Sequence, residues 1–300
     1  MKKMISNKKQ LCYVTKTVID YGTKNAQRLL FFSNGKISGS ITLDQGIDIY
    51  QLNYEGKNIA YLSKNGLFPS NRNFSSSFPG GFLYTCGLDN IGHDNNLYTH
   101  GTFHLHQGEL LEIEEGNFLL IKAKLNISSL FEEKIEVIRT ISSSYNEDYI
   151  NISDEIINSG FKDYSYLLLY HFNLGFPALT NETKLNMNFA SINAFTNHSK
   201  LNNDLIHSFP MPKDNAEETV HLLLENDGII NVTFPNIKKE MTLEYNSKDF
   251  PFLFIWKSYQ SGDYALGIEP ANSSLYDKKK TTIKAQEKHI FNFKINFKSI

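Results

Sequence analysis

Apolar residues recur at every second position over much of this chain. LLIKAKLNI (119–127) and KIEVIRTISSS (134–144) both alternate, and YINISDEIINSG (149–160) places Ile150, Ile152 and Asp154 on one face. A period of two is that of a half-buried strand. Shorter runs with turns at both ends carry the pattern onward: TVHLLLE (219–225), IINVTF (229–234), TLEYN (242–246), TTIKA (281–285) and HIFNFKINF (289–297). The punctuation between runs is glycine with polar residues, as in NGKISGS, EGKN, KNG, FPGG, NSG, ENDG and SGD. Helical periodicity is scarce; ISSLFEE (127–133) and residues near 213–218 are weak candidates for short helices. The expectation is one all-β domain over residues 1–300, folded as a large sandwich with few short helices.

Composition agrees with strands: the chain has 300 residues, 41% of them hydrophobic, with 22 Phe and 16 Tyr. That is enough to bury a large core. The net charge is −2 with both signs interspersed, which argues against a nucleic-acid partner. Two cysteines, Cys12 and Cys86, define no disulfide framework. No apolar segment follows the basic start MKKMISNKKQ, and no apolar run is long enough for a membrane span. A cytoplasmic protein is expected, and the Asn-x-Ser/Thr sequons are read as chance matches.

Three segments carry candidate chemistry. YTHGTFHLHQGE (98–109) holds His100, His104 and His106. His104-Leu-His106 on one strand face is a usable metal-ligand spacing, with Glu109 and Glu112 as nearby acids; a hydrogen-bonded polar edge is the plainer alternative. In SYLLLYHFNLGFP (165–177), Leu167, Leu169, His171 and Asn173 share one face, and Leu168, Tyr170 and Phe172 the other. A His and an Asn on an apolar face must find hydrogen bonds or a ligand. In GDYALGIEPANSS (262–274), Ala265, Gly267 and Glu269 face one way, and Pro270 is expected to stop the strand. A carboxylate beside Gly and Ala has space before it for a ligand.

The segments TLDQGIDIYQLNYEGKNIAYLS (42–63), FPGGFLYTCGLDNIG (78–92), YTHGTFH (98–104), LLYHFNLGFPAL (168–179) and WKSYQSGDYALGIEPANS (256–273) together resemble the aldose 1-epimerase-like proteins. Within them the chain is most similar to the DUF4432 branch of the galactose mutarotase-like superfamily. The resemblance implies a β-supersandwich with a sugar site in a cleft on one large curved sheet. By motif, Glu269 matches the base and His171 the acid of these mutarotases, and His100 a second histidine that contacts sugar. Asn173, Asn90, Asp48, Trp256 and Arg72 complete the expected substrate-binding set, with Tyr98 or Trp256 positioned to stack on a sugar face. No metal, redox cofactor or covalent intermediate is required.

Two departures stand out. The family's Asp-Arg-Gly-x-Asp is Asp44-Gln45-Gly46-Ile47-Asp48 here, and its His-Gly-Arg is His100-Gly101-Thr102. Arginine gives bidentate, permanently charged contacts that Gln and Thr do not reproduce. The leading expectation is therefore an aldose mutarotase or epimerase working on a small carbohydrate, with a homodimer as one possible assembly. A sugar-binding protein without turnover is the alternative. A third is a metal-dependent isomerase or oxygenase using His104, His106 and Glu109.

Overall fold

The structure is a computed structural model that describes residues 2–20, 26–67 and 73–300. β1 (Tyr13–Ile19), β2 (Gln27–Ser33), β3 (Ile37–Thr42), β4 (Ile49–Tyr54) and β5 (Lys57–Asn58) form an antiparallel meander in chain order. After a helical turn, α1 (Phe74–Ser77), come β6 (Leu83–Leu88), β7 (Gly108–Glu114), β8 (Phe118–Ser128), β9 (Lys134–Ser144), β10 (Tyr149–Asn158) and β11 (Tyr164–Leu174). Next are β12 (Lys184–Met187), β13 (Ser191–Ala194) and a second short helix, α2 (Asn197–Leu201). β14 (Thr219–Leu224), β15 (Ile229–Phe234), β16 (Lys239–Tyr245), β17 (Phe252–Gln260), β18 (Asp263–Ala271), β19 (Thr281–Ile283) and β20 (Lys288–Ser299) complete the order.

An eight-stranded sheet runs β12-β15-β16-β20-β10-β9-β8-β7. The third sheet runs β13-β14-β17-β18-β11-β19, with β6 also paired to β11. Its neighbours are far apart in sequence, so the sheet gathers residues from the middle and the end of the chain.

The alternation read from sequence sets which face is inside. Leu119, Ile121, Ala123 and Leu125 of β8, Val137 and Ile141 of β9, and Ile150, Ile152 and Ile156 of β10 are all buried. They join one apolar core with residues of the other two sheets, such as Leu30, Leu52, Tyr170 and Ile255. β11 is a different kind of strand, buried on both faces from Tyr166 to Leu174. Leu168, Tyr170 and Phe172 enter the main core, whereas Leu167 and Leu169 enter a second cluster with Tyr84, Cys86, Phe254 and Ala271. Phe74 of α1 and the loop residues Phe78 and Leu275 cover that second cluster. A strand buried on both sides reads as a near-continuous apolar run, and LLLYHF does so.

Three local expectations are corrected. Residues 127–133 and 213–218 are not helical: β8 continues to Ser128 and a turn follows, while residues 213–218 are turn and irregular chain. His104 lies in a tight 3₁₀ turn (Phe103–Leu105), so His104 and His106 do not share a strand face. Pro270 does not end β18, which runs to Ala271. The β11–β18 ladder pairs Leu169 with Ala271 and resumes at Phe172 with Ile268, skipping the level of Pro270, which has no N–H to give.

The core encloses one guanidinium. Arg139 sits in the inward phase of β9 and donates from Nε and Nη2 to Asp154 of β10, at 2.8 and 2.6 Å. Its Nη1 reaches Asp48 at 2.5 Å and its Nη2 reaches the Thr85 hydroxyl of β6 at 3.0 Å. The Tyr170 hydroxyl of β11 donates to Asp154 at 2.6 Å. Asp48 also accepts the Thr85 amide and hydroxyl, at 2.7 and 2.6 Å. Removing one member of a buried ion cluster leaves uncompensated charge in a dry interior. Arg139→Ala is therefore expected to lower the unfolding free energy by about 3–5 kcal/mol, read by urea denaturation. A loss below about 1 kcal/mol would show that the cluster does not hold the sheets together.

Candidate active site

His171 and Glu269 lie on adjacent antiparallel strands. The register that pairs Leu169 with Ala271 and Phe172 with Ile268 sets them at the same level of the sheet. Directly opposed side chains start only about 5 Å apart at Cβ. Their tips meet, with His171 Nε2 3.0 Å from Glu269 Oε1, and both side chains are buried. Gly267 makes this possible: a Cβ there would stand 2.6 Å from His171 Cε1 and 2.7 Å from Glu269 Oε1. The space expected in front of Gly267 is thus occupied by the two functional groups.

Burial governs the protonation of the pair. It pushes Glu269 well above the usual carboxylate range, with Glu218 adding to the rise. It holds His171 well below the usual imidazole range, helped by His100. Burial disfavours the charged form of each. Each shift is toward the uncharged form of its group.

Aromatic rings wall the site. Trp256 pairs with Gly267 in the ladder, and its ring is 5.6 Å edge-on from His171. Tyr84 is opposite His171 on β6, with Phe78 5.0 Å from Tyr84 and 6.1 Å from His171. His100 approaches His171 at 5.9 Å between ring centres and packs against Phe74 at 4.7 Å. The backbone of His100 has φ 66°, a conformation unusual for a side chain of that size. Gly101 follows because a Cβ there would meet the Asn90 and Gly87 carbonyls at 2.2 and 2.3 Å. The His-Gly pair is the turn that brings the imidazole in.

The remaining sequence candidates have other positions. Asn173 is buried next to the pair, donating to the Gly81 and His171 carbonyls at 3.0 Å each, with its Oδ1 left without a donor. Asn90 braces the covering loop: its amide donates to the Gly92 and Tyr98 carbonyls, and its Oδ1 accepts Lys278 at 2.7 Å. Both oxygens of Asp48 are engaged by Arg139 and Thr85 in the core. Arg72 lies outside the described residues. The two positions where the family has arginine are occupied locally. Gln45 donates to Gln27, and the Thr102 amide and hydroxyl both bond Asp89 at 2.9 Å.

His104 is buried against Tyr84 and Tyr98, at 4.7 and 5.3 Å, with both ring nitrogens unpartnered. His106 is half-buried, and exposed Glu109 stands 3.8 Å from Lys124. Among the described residues no three His, Cys, Asp or Glu side chains converge as a ligand set. One site residue was missed from sequence. Glu218 immediately precedes β14, accepts the Trp256 indole N–H at 2.7 Å, and adds negative potential at Glu269. It stands outside any alternating run, so no periodic signal marked it.

Residues 24–292 match a family described as a domain of unknown function, DUF4432. The chain belongs to the DUF4432 family. The fold of this DUF4432 protein resembles a candidate aldose 1-epimerase from Klebsiella pneumoniae at TM-score 0.84 and 15% identity, over 95% of this chain and 83% of that one. A galactose mutarotase-like protein from Clostridium acetobutylicum matches at TM-score 0.70 and 12% identity, over 97% and 100% of the two chains. A candidate mutarotase from Salmonella typhimurium gives 0.70 and 11%, over 95% and 94%. No curated protein sequence matches the chain. Identities this low establish the shared β-supersandwich and leave the chemistry to be argued from side chains. No helix among the described residues is long and apolar enough to cross a membrane.

Burial lowers His104 to about 3 in the folded state, whereas the unfolded chain takes up that proton near 6.5. Below that pH the unfolded state binds more protons, so folding weakens as pH falls. His104→Phe removes this one contribution. The unfolding free energy of the variant should gain on wild type between pH 6.5 and 4, by about 1.4 kcal/mol per pH unit at most. Parallel stability curves for the two proteins would mean that His104 is not held uncharged.

Proposed function

We propose that this DUF4432 protein is a carbohydrate mutarotase, interconverting the anomers of an aldose or a close derivative. The observation that carries the reading is the buried His171–Glu269 contact, 3.0 Å long, floored by Gly267 and walled by aromatic rings. A cyclic hemiacetal opens when its anomeric hydroxyl loses a proton and its ring oxygen gains one. A carboxyl and an imidazole that share one exchangeable proton supply both operations. One member receives the anomeric proton while the other protonates the ring oxygen. The C1–C2 bond rotates, and closure with the roles exchanged gives the other anomer. Burial favours the shared proton on Glu269 before sugar enters; a sugar hydroxyl in the pocket then replaces the direct His–Glu hydrogen bond. As the sugar hydroxyl enters, the shared proton passes from Glu269 to His171; by family resemblance Glu269, now a carboxylate, then acts as base and His171, now an imidazolium, as acid. His100, Asn173 and Trp256 are substrate contacts, with Trp256 held by Glu218.

The test is anomer exchange across a panel of aldoses, by polarimetry or NMR saturation transfer. Glu269→Gln keeps the shape and removes the proton chemistry, so kcat should fall roughly 10²–10⁴-fold with a smaller change in KM. Gly267→Ala should lower kcat through crowding, because its methyl displaces both functional groups. Equal exchange rates for wild type and Glu269→Gln on every sugar would exclude catalysis for that panel.

The mutual His171–Glu269 bond also favours a second reading, since neither group is free until something separates them. A sugar-binding protein without turnover would show melting temperatures raised by sugars, through preferential binding to the folded state, with no catalysed exchange.

A further inference from the structure

Residues 272–280 join β18, which carries Glu269, to β19. They are pinned to the strands and loops of the site. The Leu168 amide of β11 donates to Asn272 Oδ1 at 2.7 Å, and the Asn272 amide donates to the Leu168 carbonyl at 3.0 Å. Leu275 packs on the second cluster and closes on Gly92, where a Cβ would stand 2.8 Å from Leu275 Cδ2. Tyr276 stacks on Phe195 at 4.3 Å, with ring planes 7° apart.

From this fixed segment Lys278 reaches the loop that covers the site. Lys278 is half-buried. Its Nζ donates to Asn90 Oδ1 at 2.7 Å, to the His93 carbonyl at 3.1 Å and to Asp94 Oδ2 at 3.4 Å. The Asn90 amide donates in turn to the Gly92 and Tyr98 carbonyls, at 3.1 and 2.9 Å. The same two carbonyls set the His100 turn. Gly92 accepts the His100 amide and Tyr98 accepts the Gly101 amide, each at 2.9 Å. A hydrogen-bonded path therefore runs from the ammonium to the backbone of His100. That backbone holds φ 66°, a conformation that persists where the surroundings fix it.

The cation also acts through space. The His100 imidazole is pushed down to about 4, by burial first and then by Lys278 and His93. His171 of β11 and His104 of the following turn are the other titratable groups beside it, and burial holds both below the usual imidazole range. An uncharged imidazole offers one donor and one acceptor nitrogen, which suits a sugar hydroxyl.

We infer that Lys278 is a positioning residue of the site, tying the turn that carries His100 to the strand that carries Glu269 by way of Asn90. Sugar contact and carboxyl then keep their spacing as one unit, although they lie far apart in sequence. The inference rests on the reading of His100 as a sugar contact. The Lys278 ammonium is itself engaged by Asn90, His93 and Asp94, so it acts on sugar through His100.

Histidine ring resonances of the full chain, assigned with His100→Gln and followed by NMR from about pH 7.5 to about 5, test the inference without sugar. Lys278→Met should move the titration of His100 up toward the ordinary 6.5, and Lys278→Arg should return it to wild type. Lys278→Gln keeps a donor for Asn90 and drops the charge, so its His100 should titrate as in Lys278→Met. In anomer exchange Lys278→Met should raise KM about tenfold, the scale of one charge-assisted hydrogen bond, with kcat nearly unchanged. In a His100→Gln background the same substitution should change KM less than about twofold, because its effect passes through His100. Identical His100 titration in wild type, Lys278→Met and Lys278→Gln overturns the inference, as do KM effects that add in full in the double variant. A wild type that exchanges the anomers of no sugar sinks the mutarotase reading instead, and the NMR comparison then decides the placement of His100 by Lys278.

Discussion

One buried guanidinium sets the geometry on which the rest depends. Arg139 binds Asp154 on the neighbouring strand, Asp48 ahead of β4, and Thr85 on β6, while Tyr170 of β11 shares Asp154. All three sheets are thereby joined through one ion. Burial pushes the Asp48 carboxyl up to about 6 even with Arg139 and Thr85 pulling it down, a measure of how dry the cluster is. Such a cluster tolerates little slippage, because a strand shifted by one residue would turn its polar group out of the network. The cluster and the site are two faces of the same pair of strands. Thr85 pairs with Tyr170, and the next pair along is Tyr84 with His171. Fixing the inward row fixes the outward one.

Much of the architecture was legible because alternation is a direct record of which face is wet. The long strands β8, β9 and β10 follow their sequence patterns closely, down to Asp154 in phase with Ile150 and Ile152. Arg139 lies in the same inward phase, between Val137 and Ile141. Opposite charges in the buried phase of two neighbouring strands were a signal for the cluster, passed over because neither strand shows its partner. Asp48 illustrates the cost: its motif suggested sugar contact, and its oxygens are spent on Arg139 and Thr85. Glu218 was invisible for another reason, since its place depends on the β14–β17 pairing of residues far apart in sequence.

The meeting of His171 and Glu269 was legible through motif and not through periodicity. Alternation put His171 on one face with Leu167 and Leu169, and Glu269 on one face with Ala265 and Gly267, but only the sheet order makes those two strands neighbours. Direct contact between the two groups, with Gly267 bare beneath them, was beyond sequence reasoning. The effect of burial was too, since it works against the charged form of each group. The missing family arginines have local explanations of a modest kind. Thr102 and Gln45 each make short-range hydrogen bonds.

β11 is covered on both faces and hydrogen-bonded along both edges, to β18 on one and β6 on the other, with β19 pairing its first residues. Its amide protons are therefore among the last to exchange with solvent, and His171 rides on the least mobile part of the molecule. His100, Phe74 and Phe78 hang instead from connecting segments, and Glu218 from the start of a strand. Mutational drift can reshape that rim over generations while the imidazole and carboxyl stay in register. A lineage built this way varies the approach to the pair far more readily than the pair itself.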